Sequence, residues 1–331
     1  MIEFRDVDMG VEPHLHEWYD VWAAAQAGRP QELVTPWAVA RESMPRRHPD
    51  FEVTLFTAYD DRVPVGAGLL NVPVKDNPTV VFVEVATHPG HRRRGIGTAV
   101  LDEVERRVRA LGRQRPVVEV YAPAGGRSPG QEFAEARGYA VANREAMKAV
   151  RLADSEPMWP ALDRQVAPHV GAHRIVTWRD RCPDALVEGF GSALSRTMSL
   201  VPQGELDLDD SEFTLERLRA IEERRLAIGL ATIESAAVTA GGVVVGLTGL
   251  RVHLADPRVA HVSVTMVLPG HRGHRLGLAL KLANHRALRV EEPACELVAT
   301  SNADVNAHMN AINDALGYRS LETLLECHRT L

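Results

Sequence analysis

Two short runs rich in arginine, histidine and glycine carry the chemistry that is easiest to read in this chain. Pro89-Gly90-His91-Arg92-Arg93-Arg94-Gly95-Ile96-Gly97 returns as Pro269-Gly270-His271-Arg272-Gly273-His274-Arg275-Leu276-Gly277, an offset of 180 positions (269 − 89). Each run follows an apolar, β-branched stretch, Val80-Val85 in the first copy and His261-Val267 in the second, and each precedes a helical pattern. A strand, a tight loop and a helix start leave backbone N–H groups free at the helix N-terminus. The helix dipole and nearby arginines make such a place an anion site, suited to phosphate. Glu84 adds a carboxylate on the strand that enters the first loop.

The elements that must position these loops also come twice. Val65-Gly66 and Val245-Gly246 stand 180 apart, and Gly138-Tyr139 and Gly317-Tyr318 close the two copies 179 apart (317 − 138). The Pro-Gly-His-Arg tetrapeptide, the loop's final glycine, the Val-Gly pair and the Gly-Tyr pair, in one order and register, imply a duplicated domain. In the first copy the pattern predicts a strand near Ile2-Arg5, a helix over Pro13-Ala27, strands Val53-Ala58 and Pro64-Val72 around an Asp60-Asp61 turn, and a helix Gly97-Leu111. A strand Pro116-Ala122 and a helix Gln131-Arg137 follow. Residues 153–171, with Pro157, Pro160, Pro168 and Gly171, read as an interdomain linker between domains at 1–152 and 172–331. The second copy repeats the plan: strand His173-Trp178, helices near Pro183-Ser195 and Thr214-Gly229, and strands Thr232-Ala240 and Val243-His253. After its loop come helix Leu278-Val290, strand Glu296-Thr300, helix Val305-Ala315 and strand Thr323-Thr330. The expected fold class is mixed α/β (α+β), two tandem domains each with a mixed, mostly antiparallel sheet flanked by helices.

On these residues the chain resembles the GCN5-related N-acetyltransferases, the GNAT superfamily, and it does so twice. The family pattern is Arg or Gln, two residues, Gly, one residue, then Gly or Ala. Arg92, Gly95 and Gly97 match it in full, whereas the second copy has Arg272 and Gly277 with Arg275 in place of the first glycine. The family's later Asn, then Tyr seven residues on, falls at Asn306 and Asn313 in copy two, and at Arg127 and Ala134 in copy one. The tandem arrangement is similar to the mycothiol synthase-like two-domain acetyltransferases.

The resemblance implies acetyl-CoA as cofactor and direct transfer of an acetyl group to the amine of a small molecule. It implies that backbone near Thr87 and Val267 holds the pantetheine arm as an added strand. Amides of Arg92, Arg93, Arg94, Gly95, Ile96, Gly97 and Thr98, and of Arg272, Gly273, His274, Arg275, Leu276, Gly277 and Leu278, would then cradle the pyrophosphate. Glu84 is the best-placed base, and Asn313 stands where the family carries its acid. Asn302 and Asn306 would satisfy pantetheine or carbonyl groups, with helix capping as the competing role, best suited to Asn302. For copy two the base stays open among Glu234, His253, His328 and the terminal carboxylate of Leu331. If one copy is catalytic, the family analogy points to copy two. A non-catalytic acyl-CoA-binding tandem protein is the alternative, since neither copy has the family tyrosine.

The composition sets outer bounds. With 45% hydrophobic and 25% charged residues the chain is of ordinary globular type, and at 331 residues it is long enough for two cores. A net charge of −6 argues against a nucleic-acid partner. Cys182, Cys295 and Cys327 are scattered without CxxC spacing, so neither a disulfide framework nor a metal site is expected, and His91 with His271 marks the duplication. No apolar run reaches membrane-spanning length, and the cytosol is the expected compartment.

Overall fold

The computed structural model describes residues 1–331. In chain order the elements are β1 (Glu3–Asp6), α1 (Glu12–Ala25), α2 (Trp37–Ser43), β2 (Phe51–Asp60), β3 (Val63–Pro73), β4 (Val80–Thr87), α3 (Ile96–Ala110), β5 (Arg115–Pro123), α4 (Pro129–Ala136) and β6 (Ala140–Arg151). Then come α5 (Leu152–Ser155), α6 (Trp159–Val170), β7 (Arg174–Arg179), α7 (Val187–Leu194), α8 (Thr197–Leu200), α9 (Leu215–Ala227), β8 (Leu230–Val238) and β9 (Val244–His253). The chain closes with β10 (Val259–Val267), α10 (Leu276–Glu291), β11 (Leu297–Ala303), α11 (Ala307–Ala315) and β12 (Arg319–His328).

The chain forms two compact units. One comprises Met1–Arg144, Gly204–Asp207 and Glu322–Leu331, and the other Glu145–Gln203 with Leu208–Leu321. In the first unit the strand order is β1-β2-β3-β4-β5-β12, antiparallel except for β4 beside β5. In the second it is β6-β11-β10-β9-β8-β7, antiparallel except for β10 beside β11. Glu322–His328 pair with β5 and Glu145–Arg151 pair with β11, so the last strand of each sequence half completes the sheet of the other unit.

Alternation explains the layers. In the first unit α3 buries Ile96, Val100, Val104 and Val108 against Val65, Val81 and Val83 on one sheet face, and α1 buries Leu15, Trp18 and Val21 against Leu55, Ala67 and Ala86 on the other. Each such aliphatic side chain contributes about 1.5–3 kcal/mol when fully removed from water. The second unit repeats this with α10 against Ile233, Leu250, Val252 and Ala260, and with α7 and α9 against Ala236, Val238 and Leu247. The β2–β3 hairpin turns through Asp61 and Arg62, both left-handed at φ 47° and 70°, as a two-residue turn that follows the strand twist requires.

Two features depart from the sequence reading. The expected linker at 153–171 is helical, α5, a 3-10 turn and α6, and belongs to the second unit. Its prolines misled: Pro160 occupies the first turn of α6, where no amide hydrogen bond is lost, and Trp159, Leu162 and Val166 are buried at helical spacing. Strand β6 also falls between the last element read in copy one and that linker, and was not anticipated.

Candidate functional site

In each unit the one parallel ladder opens into a fork. In the first, β4 and β5 pair only from Val80–Val83 against Arg115–Val118, while β4 continues to Thr87 on β3 and β5 to Pro123 on β12. Glu84 and Glu119 are the first residues past the last pair. In the second unit β10 and β11 pair over Val259–His261 against Leu297–Ala299 and then separate, with a bulge in β10 between Val262 and Val264. A fork leaves strand backbone N–H and C=O groups without a ladder partner, which an extended ligand can complete.

Past the first fork one sheet face carries an acidic row. Glu84, Glu119 and Tyr121 point to the α1 side, and β12 places Glu326 opposite Glu119 and Glu322 opposite Pro123. Trp22 Nε1 of α1 donates to Glu84 Oε2 at 2.5 Å, and the Tyr121 hydroxyl donates to Glu119 Oε2 at 2.6 Å. Arg29 is the cation in this group: its guanidinium stacks 3.3 Å from the Tyr121 ring centroid and donates to both carboxylate oxygens of Glu322, at 2.6 and 3.1 Å. Burial, then the neighbouring Glu119 charge, pushes the Glu84 carboxyl up to about 7, against the opposing pull of the Trp22 hydrogen bond and Arg29. Burial and Glu119 likewise raise Tyr121 well above the usual phenol, so it keeps its proton near neutrality.

At the open end of each fork, where β4 or β10 runs out, lies the anion loop. Arg92 donates to the Ala25 carbonyl, while Arg93 and Arg94 are exposed and meet no carboxylate. Each loop uses two left-handed positions in the same places: Arg93 at φ 64° and Gly95 at φ 80°, then Gly273 at φ 84° and Arg275 at φ 52°. One glycine and one arginine occupy them in each copy, in swapped order. The missing glycine at 275 therefore does not change the loop's path; Arg275 accepts the strained backbone and its guanidinium donates to Gln165 Oε1 at 3.2 Å. Gly97 lies beside Thr87, where a Cβ would come 3.2 Å from the threonine hydroxyl. The free amides of Ile96, Gly97 and Thr98 at the start of α3, the forked backbone and the unpaired arginines fit a phosphate-bearing thioester cofactor. In the second loop Leu276, Gly277 and Leu278 open α10 in the same way, but Arg272 Nε donates to the Val267 carbonyl and His274 Nδ1 lies 3.2 Å from the Arg272 carbonyl.

The asparagines of the second unit are committed to its own interior. Asn313 is fully buried at 0% exposure, accepting from Lys281 Nζ at 2.6 Å and donating to Asn302 Oδ1 at 2.8 Å. Asn302 donates in turn to Asn310 Oδ1, which also receives Lys148 Nζ. Burial and the Lys148 charge hold the Lys281 amine down at about 7. The cap expected at Asn302 is formed instead by Asn306, whose Oδ1 accepts from Met309 N–H at the start of α11. Of the bases left open for copy two, His328 and Leu331 lie in the first unit, because β12 pairs with β5. Glu234, 5% exposed, is bound by Arg225 Nη1 at 3.2 Å, and His253 is pushed down to about 4 by burial and then by His261, Arg224 and Arg251. In copy one, Arg127 is exposed and paired with Glu135, and Ala134 is core.

The sequence alone points to Trp22 only as one of the aromatics at helical spacing in α1, read first as core and by the family resemblance as acceptor-pocket lining, and it singles out none of Arg29, Glu119 and Tyr121. The alternation of Glu119 and Tyr121 against Val118 and Val120 carried the signal, but only the fork makes it a site.

The sequence profile of the "Acetyltransferase (GNAT) family" matches residues 14–139. The chain is 30% identical over 248 residues to the mycothiol acetyltransferase of Saccharomonospora viridis, covering 72% of this chain and 71% of that protein. Among solved structures it is similar to a tandem GNAT protein from the clavulanic acid biosynthesis pathway, with TM-score 0.81 and 25% identity over 100% of this chain and 98% of that one. A GCN5-related N-acetyltransferase from Sphaerobacter thermophilus shares the fold, with TM-score 0.66 and 14% identity over 99% and 95% of the two chains. No helix is long and apolar enough to cross a membrane.

Proposed function

Because the chain belongs to the GNAT family of acetyltransferases, in tandem form, we propose that it is an acetyl-CoA-dependent N-acetyltransferase whose acceptor is a small amine and whose reacting centre lies at the fork of the first unit. The observation that carries this reading is Glu84, held where the strands of the fork part, with its carboxyl raised to about 7. Acetyl-CoA would supply the activated acetyl thioester, held by the backbone of Glu84 to Thr87, the amides of Ile96 to Thr98 and the arginines before them. The residues of the chain do the rest. An amine reaches the site as an ammonium ion, and the row of Glu84, Glu119, Glu322 and Glu326, opposed chiefly by Arg29, favours a cation there. Glu84 ionises near neutral pH and takes the ammonium proton, which frees the nitrogen lone pair; a base is most effective when its pKa is near the working pH. Trp22 orients its carboxylate, and Tyr121 stays protonated as a hydrogen-bond donor beside it.

The second unit is read as a ligand-binding rather than a reacting copy, since Asn313, at the family's acid position, is sealed between Lys281 and Asn302. The direct test is acetyl-CoA turnover, followed as free thiol release, across a panel of small amines. Wild type should turn over at least one amine, and Glu84→Gln should lower kcat/KM by about a hundredfold or more, the contribution of a general base. Unchanged turnover in Glu84→Gln would move the reaction away from this fork.

A further inference from the structure

On the α9 side of the second unit, the three strands β8, β9 and β10 carry a row that differs in charge from its counterpart in the first unit. Thr232, Arg251 and His261 stand directly across from one another, and His253 is two residues from Arg251 on the same face. The matching row in the first unit is Val53, Asn71 and Phe82, which carries no charge. His261 is the last residue of β10 to pair with β11, so the row lies at the base of the fork.

Arg225 of α9 holds Glu234, Arg219 and the Cys182 amide hold Glu222, and Asp180, which accepts from the Thr232 amide, pairs with Arg179, so none of the carboxylates near this row pairs with Arg251. Arg251, His253 and His261 make no side-chain hydrogen bond or ion pair within the chain. Arg251 is exposed, and the surrounding protein, then Arg225, lowers it to about 10. An independent observation points the same way: Thr232, 1% exposed and directly across from Arg251, has a buried Oγ1 with no hydrogen-bond partner. An unpaired buried hydroxyl is costly, and an oxyanion held by the unpaired Arg251 guanidinium would satisfy it.

We propose that this face is a binding site for a small molecule bearing an oxyanion, a carboxylate or a phosphate, with Arg251 as its principal ligand, His261 and His253 beside it and the Thr232 hydroxyl below. The site is separate from the amine-binding row of the first unit and opposite to it in charge.

The test is NMR of the histidine Cε1–H signals in the full-length chain, assigned with His253→Gln and His261→Gln, during titration with inorganic phosphate and, separately, with succinate. A bound oxyanion stabilises imidazolium, so the pKa values of His253 and His261 should rise by about one unit. Arg251→Gln should weaken the titrating anion by roughly tenfold or more, the loss of a charge-assisted hydrogen bond. Whichever anion acts at lower concentration names the group recognised. Signals of His253 and His261 that stay fixed while His91, His271 or His274 move would confine anion binding to the loops and overturn the proposal. Equal responses in Arg251→Gln and wild type would overturn it as well, and circular dichroism establishes that the variant is folded.

Discussion

Gly249 lies so close beneath Glu234 that a Cβ added to it would stand 2.1 Å from Glu234 Oε2 and 2.6 Å from Ser263 Oγ. The two residues are directly across from each other on β8 and β9, and Glu234 is held there by Arg225. The glycine is thus required by the side chain above it, since its own φ is not left-handed. Gly249→Ala should displace the carboxylate from Arg225 and cost about 1–3 kcal/mol in urea unfolding, the usual range for overpacking. The double variant with Glu234→Ala should lose less than the sum of the singles, because both act on one contact. Additive losses would mean that the glycine serves some other purpose.

The Glu84 carboxyl gives a pH profile with a defined sign. With its pKa at about 7, the ionised base is depleted below that pH, so kcat/KM should rise with pH through about 7 and then level off. The same shift acts on stability. Between the ordinary carboxylate range and 7 the folded state holds the proton more tightly than the unfolded one, so this group makes the fold less stable as pH rises through that window. Glu84→Gln should remove both the acid limb of the rate profile and this slope. A limb that persists in the variant belongs to another group.

Lys281 predicts a slope of the opposite sign. Its amine is held at about 7, below the ordinary lysine value of 10.5, so between these pH values the unfolded chain binds more protons and stability rises with pH. Lys281→Met, which keeps the length and removes the charge, should flatten the curve in that window. It also orphans Asn313 Oδ1, a loss of about 1–3 kcal/mol for a buried acceptor. Denaturant titrations at pH 7 and 9.5 separate the two effects, because the orphaned acceptor does not titrate.

Much of the architecture is legible because it depends on period and punctuation: the 180-residue offset, the valine runs before each loop and the apolar stripe of α3 all survive in the structure. The loops were legible too, although the role of Arg275 required its φ. Three things were hidden. Glu145–Arg151 and Glu322–His328 enter sheets with residues far away in sequence, which no local pattern encodes. The acid row past the fork joins α1, β4, β5 and β12, so nothing nearby in sequence ties Trp22 or Arg29 to the carboxylates they meet. Family position alone assigns the asparagines, and the lysine at 281 that ties Asn313 down lies 32 residues earlier.

Asn306 illustrates the consequence. As the cap of α11 it satisfies an otherwise free amide, and Asn306→Ala should cost about 1 kcal/mol of stability. Asn306→Asp, an equally good cap, should restore it. Steady-state rates at a temperature well below unfolding should be little changed in both, whereas a rate loss shared by the two variants would return the residue to cofactor contact.

The swapped glycines of the two loops allow the backbone cost to be measured without new contacts. At Gly95 an added Cβ meets nothing within 4 Å, so Gly95→Ala changes only the cost of φ 80°, and it should destabilise the chain by about 1–2 kcal/mol. Arg275→Gly relieves the same kind of strain at φ 52° and gives up the Gln165 hydrogen bond, while the new glycine adds roughly 0.5–1 kcal/mol of unfolded-state entropy. The net change at 275 should therefore be a gain of less than about 1 kcal/mol. Chemical unfolding of the two single variants, whose effects should have opposite signs, checks this. A loss at both positions would show that the arginine at 275 is held by more than its loop.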